Sequence, residues 1–156
     1  MAYDCQTVER QAQPTLAVRT HAPVGKLPEV LGQVYGNIAQ YLMGELHEQP
    51  AGAPYVAYFN MDMQDLDMEI GFPVGHPLPG KGEIAASEIP GGKAATVTHV
   101  GPYNTVEQAY AALSRWMQEQ GLEPTGVAYE TYVNDPQETP PELLRTIITF
   151  PLKGAS

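Results

Sequence analysis

The chain has 156 residues, 43% hydrophobic and 17% charged, which suits one domain, or two small halves sharing a core, and excludes a disordered composition. Eight basic against eighteen acidic residues give a formal charge of −10, and the Lys and Arg are scattered singly, so a phosphate-binding basic face and direct nucleic-acid binding are not expected. Cys5 is the single cysteine, and no apolar run approaches the roughly 18 residues of a membrane span; a cytoplasmic protein without membrane contact or cofactor is expected.

In chain order, 15–21 reads as a strand and 28–46 as a helix, on the spacing of Leu27, Val30, Leu31, Val34, Ile38 and Leu42. Pro28 suits a first helical position. Two strands follow, 55–60 and 66–74. The stretch Gly75-His76-Pro77-Leu78-Pro79-Gly80 is too rich in Pro and Gly for a regular element, and a Pro90-Gly91-Gly92 turn joins strands 84–89 and 93–100. Asn104 can then cap a helix, with Glu107 as its capping-box partner. Val106, Ala109, Tyr110, Leu113, Trp116 and Met117 form one apolar stripe on it, and Gly121 supplies the stop. Strands 127–134 and 143–152 close the chain.

The two halves of this order repeat. Thr20-His21-Ala22 resembles Thr98-His99-Val100, and Phe72-Pro73-Val74 resembles Phe150-Pro151-Leu152, both at an offset of 78 residues, from 21 to 99 and from 72 to 150. Between them, Tyr55-Val56-Ala57-Tyr58-Phe59-Asn60 resembles Tyr129-Glu130-Thr131-Tyr132-Val133-Asn134 at an offset of 74, from 55 to 129. One domain over 1–156 is expected, with pseudo-repeats at about 8–74 and 82–152, each a strand-helix-strand-strand unit. An extra strand precedes the second, and one is left open before the first. The fold class is α+β: an antiparallel sheet with helices on one face and a ligand groove between the halves.

Strand side chains alternate between faces. Met68, Ile70 and Phe72 match Thr146, Ile148 and Phe150 as the helix-facing set, which leaves Glu69 and its counterpart Ile147 pointing away. In the preceding strand the facing is ambiguous. Val56, Tyr58, Glu130 and Tyr132 are assigned to the groove, because a carboxylate is costly in a helix-facing core that offers it no solvation. Two acids among Tyr58, Tyr132 and Trp116 would suit an aromatic cation, through ring stacking, cation–π attraction and charge compensation. Taken singly, Glu69 and Glu130 also fit exposed strand carboxylates, Trp116 fits core packing, and Tyr58 and Tyr132 fit cross-strand pairing. His21, His47, His76 and His99 lack metal-ligand spacing, and His21 and His99 read as repeated strand-end residues.

His99-Val100-Gly101-Pro102-Tyr103, the helix through Trp116 to Gly121, Asp67-Met68-Glu69-Ile70-Gly71, and Tyr129-Glu130-Thr131-Tyr132-Val133-Asn134-Asp135-Pro136 followed by Thr139-Pro140-Pro141-Glu142-Leu143 together resemble the GyrI-like, or bacterial transcription-activator effector-binding, domain. The resemblance spans nearly the whole chain. It implies a duplicated fold whose central groove binds lipophilic, often cationic drugs, with a glutamate at the position of Glu130 as charge partner. Tyr132, Tyr58, Glu69, Trp116, Val56 and Ile147 would complete the ligand set. The helix-turn-helix that precedes this domain in many regulators is not seen here. Relatives imply two alternatives: hydrolysis of cyclopropane-containing electrophiles with Glu130 and Tyr132 as catalytic groups, and interaction with a protein such as gyrase or a separate regulator.

Overall fold

The structure, a computed structural model, describes residues 3–102, 105–134 and 138–153. Its regular elements are β1 (Gln6–Arg10), β2 (Gln13–Ala22), α1 (Leu27–Ala39), β3 (Tyr55–Tyr58), β4 (Leu66–Pro73), β5 (Ala85–Ile89), β6 (Gly92–Val100), α2 (Glu107–Gln120), β7 (Ala128–Tyr132) and β8 (Arg145–Pro151). This is an α+β fold with antiparallel strand pairing. Pro28 sits in the first turn of α1, and α1 runs on into a π-helical stretch, Gln40–Glu45. Gly121 closes α2 in the left-handed conformation, φ 70°, and the Leu122 amide turns back to the Met117 carbonyl at 2.9 Å. Asn104, expected to cap this helix, lies outside the described residues, as do Tyr103, Asp135 and Pro136.

The chain divides into two compact units, Ala12–Pro90 and Met1–Gln11 with Gly91–Ser156. Within the first, the strands are ordered β3-β4-β2-β5; within the second, β7-β8-β6-β1. The two orders match strand for strand. Although β1 leads directly into β2, and β5 into β6, β1 pairs with β6 and β5 with β2. The leading strand of each repeat is therefore paired inside the other unit, which is why unit boundaries and repeat boundaries differ.

In the Ala12–Pro90 unit, the register sets Leu16 opposite Phe72 and Val18 opposite Ile70. That face meets the helix: Leu16, Val18, Ile38, Tyr41, Leu42, Val74 and Leu78 form one buried cluster, with Val34 and Phe72 packed against it. Each such side chain removed from water stabilises the fold by about 1.5–3 kcal/mol. The other face carries Thr15, Ala17, Arg19, Tyr55, Ala57, Glu69, Gly71 and Ser87. Gly71 is required there. A Cβ at this position would lie 2.5 Å from the Leu16 carbonyl oxygen and 2.8 Å from the Ala17 Cβ.

The second unit repeats the plan with one shift. Ile148 opposes Val97 just as Ile70 opposes Val18, so β4 and β8 correspond at the expected offset of 78, whereas β2 and β6 correspond at 79, from 18 to 97. The residue equivalent to His99 is consequently Thr20. His21, one place on, faces the opposite way. It opposes Asp67 and bonds to exposed Asp65 at 2.8 Å, while His99 opposes Thr146 and is buried. The reading of His21 and His99 as repeated residues is therefore corrected, since a slip of one residue exchanges the faces of a strand.

Candidate functional site

Glu130 lies on β7 opposite Ile148, and Tyr132 lies opposite Thr146. Both share a sheet face with Val97, His99 and Phe150. This face carries the helix, because Tyr110 of α2 packs on Phe150 with ring centroids 5.8 Å apart. The expectation that Glu130 and Tyr132 point away from the helices is thus corrected, as is the same expectation for Val56 and Tyr58, which oppose Ile70 and Met68 on the α1 face. The repeat alignment itself holds: Val56 and Tyr58 occupy the positions of Glu130 and Tyr132. What fails is the premise that nothing on a helix face could solvate a carboxylate.

Tyr110 and Tyr132 supply that solvation. The Tyr132 hydroxyl donates to Glu130 Oε1 at 2.9 Å, and the Tyr110 hydroxyl donates to Oε2. Burial is the dominant influence on the carboxyl and raises its pKa. The Tyr110 and Tyr132 hydrogen bonds, and more weakly the charge of His99, pull it back down. Glu130 is therefore a carboxyl whose protonated form is favoured by burial and whose ionised form is stabilised by two aromatic donors.

The other unit shows what this position looks like without the acid. Tyr35 of α1 packs on Phe72 at 5.2 Å as Tyr110 packs on Phe150, but with Val56 in place of the glutamate its hydroxyl donates to the Tyr55 carbonyl at 2.8 Å. Met68 likewise stands where the second unit has Thr146. The helix face of the second unit has gained Glu130, His99 and Thr146 where the first has Val56, Thr20 and Met68.

His99 is fully engaged. Its Nε2 lies 3.1 Å from the Pro102 carbonyl and 3.0 Å from Thr105 Oγ1, and its Nδ1 lies 3.1 Å from the Tyr3 hydroxyl. A carbonyl only accepts, which suits the tautomer with the proton on Nε2. Thr146 Oγ1, between His99 and Tyr132 in the register, is buried and has no hydrogen-bond partner among the described residues.

The remaining expected residues lie elsewhere. Glu69 does point away from the helix. It accepts from the Tyr55 hydroxyl at 2.7 Å and from Ser87 at 2.9 Å, and Tyr55 is also 3.0 Å from Thr15 Oγ1. Ile147, its counterpart, faces away from α2, opposite Thr98 and Thr131. Trp116 is half-buried on α2, six residues beyond Tyr110 and so about 9 Å along the axis. By spacing alone Tyr110 is one residue of the apolar stripe on α2, and its hydroxyl bond to Glu130 emerges only in the structure. The signal was available in the repetition of Tyr35 with Phe72 as Tyr110 with Phe150.

Comparison with known proteins gives the fold a family. By structure, the chain is similar to EcmrR in a complex with DNA, with a TM-score of 0.86, 21% identity, and coverage of 97% of this chain but 58% of that one. It matches the separate EcmrR C-terminal domain with a TM-score of 0.77 at 22% identity, covering 98% of this chain and 99% of that one. A hydrolase from Listeria innocua follows the same fold with a TM-score of 0.68 at 15% identity, covering 97% and 93%. So does SAV2435 bound to tetraphenylphosphonium, with a TM-score of 0.62 at 13% identity, covering 99% and 95%. No curated protein matches by sequence. A family model for the GyrI-like small molecule binding domain matches residues 4–153, and the chain accordingly belongs to the GyrI-like small molecule binding domain family.

Proposed function

We propose that the protein binds hydrophobic, aromatic cations, with Glu130 as the charge partner and Tyr110 and Tyr132 as the aromatic groups beside it. The observation that carries this reading is the glutamate held by two tyrosine hydroxyls on a helix-covered sheet face, where the other repeat has valine. An ionised carboxylate there is disfavoured by burial, and a desolvated cation beside it would relieve that penalty while gaining attraction from the ring faces. Trp116, half-buried further along α2, is the next aromatic side chain available for stacking. The tetraphenylphosphonium complex of SAV2435 supports the same ligand class, as a property of that protein.

Calorimetric titration with tetraphenylphosphonium and with tetraphenylborate, which has the same shape and the opposite charge, tests the assignment. The cation should bind at least about tenfold more tightly, a difference of about 1.4 kcal/mol, and Glu130→Gln should remove most of that preference. Equal affinity for the two ions, or a preference untouched by Glu130→Gln, sinks the reading.

The burial-raised pKa of Glu130, with Tyr132 at 2.9 Å, also favours a second reading. Glu130 would accept a proton from water as the water oxygen bonds to a cyclopropane carbon. The ring C–C bond breaks, its electron pair passes to the electron-withdrawing group conjugated with the ring, which takes up a proton, and a tyrosine hydroxyl orients the electrophile. Mass spectrometry of such a substrate with wild type and Glu130→Gln decides it; no product above the uncatalysed rate rejects it for that compound.

A further inference from the structure

Tyr129 and Glu130 are consecutive on β7 and so face opposite sides of the sheet. On the side away from α2, Tyr129 opposes Thr149 and shares its face with Arg10 of β1. Arg10 pairs with Gly92, and the next residue of β6 on that face is Ala94. With no bulk beyond a methyl group there, the arginine side chain can cross β6. Its guanidinium carbon lies 5.2 Å from the centroid of the Tyr129 ring.

This guanidinium makes no hydrogen bond or ion pair among the described residues, and its Nε is buried without an acceptor. Burial is the main influence on it and opposes its charged form. With Nε cut off from water and without an acceptor, and with only the Tyr129 ring beside it, the charged form of Arg10 is under-compensated.

Arg19 shows the completed version of the arrangement in the same protein. Its guanidinium lies 3.9 Å over the Phe59 ring, and its in-plane edge holds the Asp67 carboxylate through Nε and Nη2, both at 2.8 Å. Arg10 has the aromatic ring and lacks the carboxylate.

We infer that Arg10, backed by Tyr129, binds the carboxylate of a small organic acid in the plane of its guanidinium. The site lies on the sheet face opposite Glu130 and is independent of the cation reading. A planar carboxylate matches the guanidinium fork, taking two parallel N–H donors, here from the two Nη groups, since Nε is buried.

The test is a ¹H–¹⁵N titration of the wild-type protein with sodium benzoate at constant ionic strength. The Arg10 Nε–H signal is assigned by its absence from the spectrum of Arg10→Lys. Its resonance should move saturably with benzoate and stay still with chloride or with neutral benzamide. Arg10→Lys, which keeps the charge and loses the fork, should bind benzoate at least about fivefold more weakly by calorimetry. A response to benzoate no larger than that to chloride overturns the inference, as does unchanged binding by Arg10→Lys. If that variant does not fold, the side-chain signal is assigned through bonds in wild type, and the wild-type titration decides alone.

Discussion

Tyr110→Phe removes the hydroxyl that donates to Glu130 Oε2 and leaves the ring on Phe150 in place. A hydrogen bond to a charged group contributes about 1.5–3 kcal/mol, against about 0.5–1.5 kcal/mol for a neutral one. For a chain of this size each kcal/mol moves Tm by about 2–4 °C, so the loss should be roughly 3–12 °C when Glu130 is ionised. The sign with pH follows from the direction of the Tyr110 effect. That bond lowers the Glu130 pKa, so it favours the ionised form and its contribution grows as pH rises through the raised Glu130 pKa. Tyr35→Phe is the matched control. It deletes the equivalent hydroxyl, which donates to the uncharged Tyr55 carbonyl, and should cost less, with no dependence on Glu130 ionisation. Thermal melts of both variants across pH measure the difference. Equal losses that do not vary with pH would refute the account of Glu130 as a buried, tyrosine-stabilised acid.

Three further outcomes are expected. Glu130→Gln should flatten the pH dependence of stability above the ordinary carboxylate range. Because the wild-type pKa is raised, the folded state holds a proton that the unfolded state has lost, and wild type therefore loses stability as pH rises toward the folded pKa; chemical denaturation across pH reads this. Thr146→Val removes a buried hydroxyl with no partner among the described residues at nearly constant volume, and should leave stability unchanged or raise it by up to about 1 kcal/mol in urea unfolding. Gly71→Ala forces a Cβ to within 2.5 Å of the Leu16 carbonyl and should destabilise by about 1–3 kcal/mol or more, with a falling urea midpoint as the readout.

Much of this architecture was legible because duplication writes the same pattern twice. Phe72 and Phe150 marked the last strand of each repeat, and their offset carried over to the pairs Ile70 with Ile148 and Glu69 with Ile147. The histidines misled, because the stretch from β6 to β8 is one residue shorter than the stretch from β2 to β4, which puts Thr20, not His21, at the position of His99. No local pattern signals a shift of that kind, and only the partner strands fix it. Glu130 was found, but its face was not. A carboxylate on a helix face does carry the cost of desolvation, but the donors that offset it are not legible locally, because Tyr110 lies 20 residues away and the rotation of α2 about its axis is set by packing on β6 and on Phe150 of β8. The exchange of β1 and β5 between units was equally hidden, since strand pairing depends on tertiary register and not on chain order.

The central claim is that Glu130 is the charge partner of a bound cation, and the proton linkage of binding tests it most directly. A ligand that requires the ionised carboxylate must release whatever proton the burial-raised pKa leaves on it. Calorimetry of tetraphenylphosphonium binding in two buffers of different ionisation enthalpy, below and above the raised pKa, measures that release. The account predicts proton release and weaker binding on the acid side, both lost in Glu130→Gln; affinity and proton uptake that do not change with pH, or that are the same in Glu130→Gln, would contradict it.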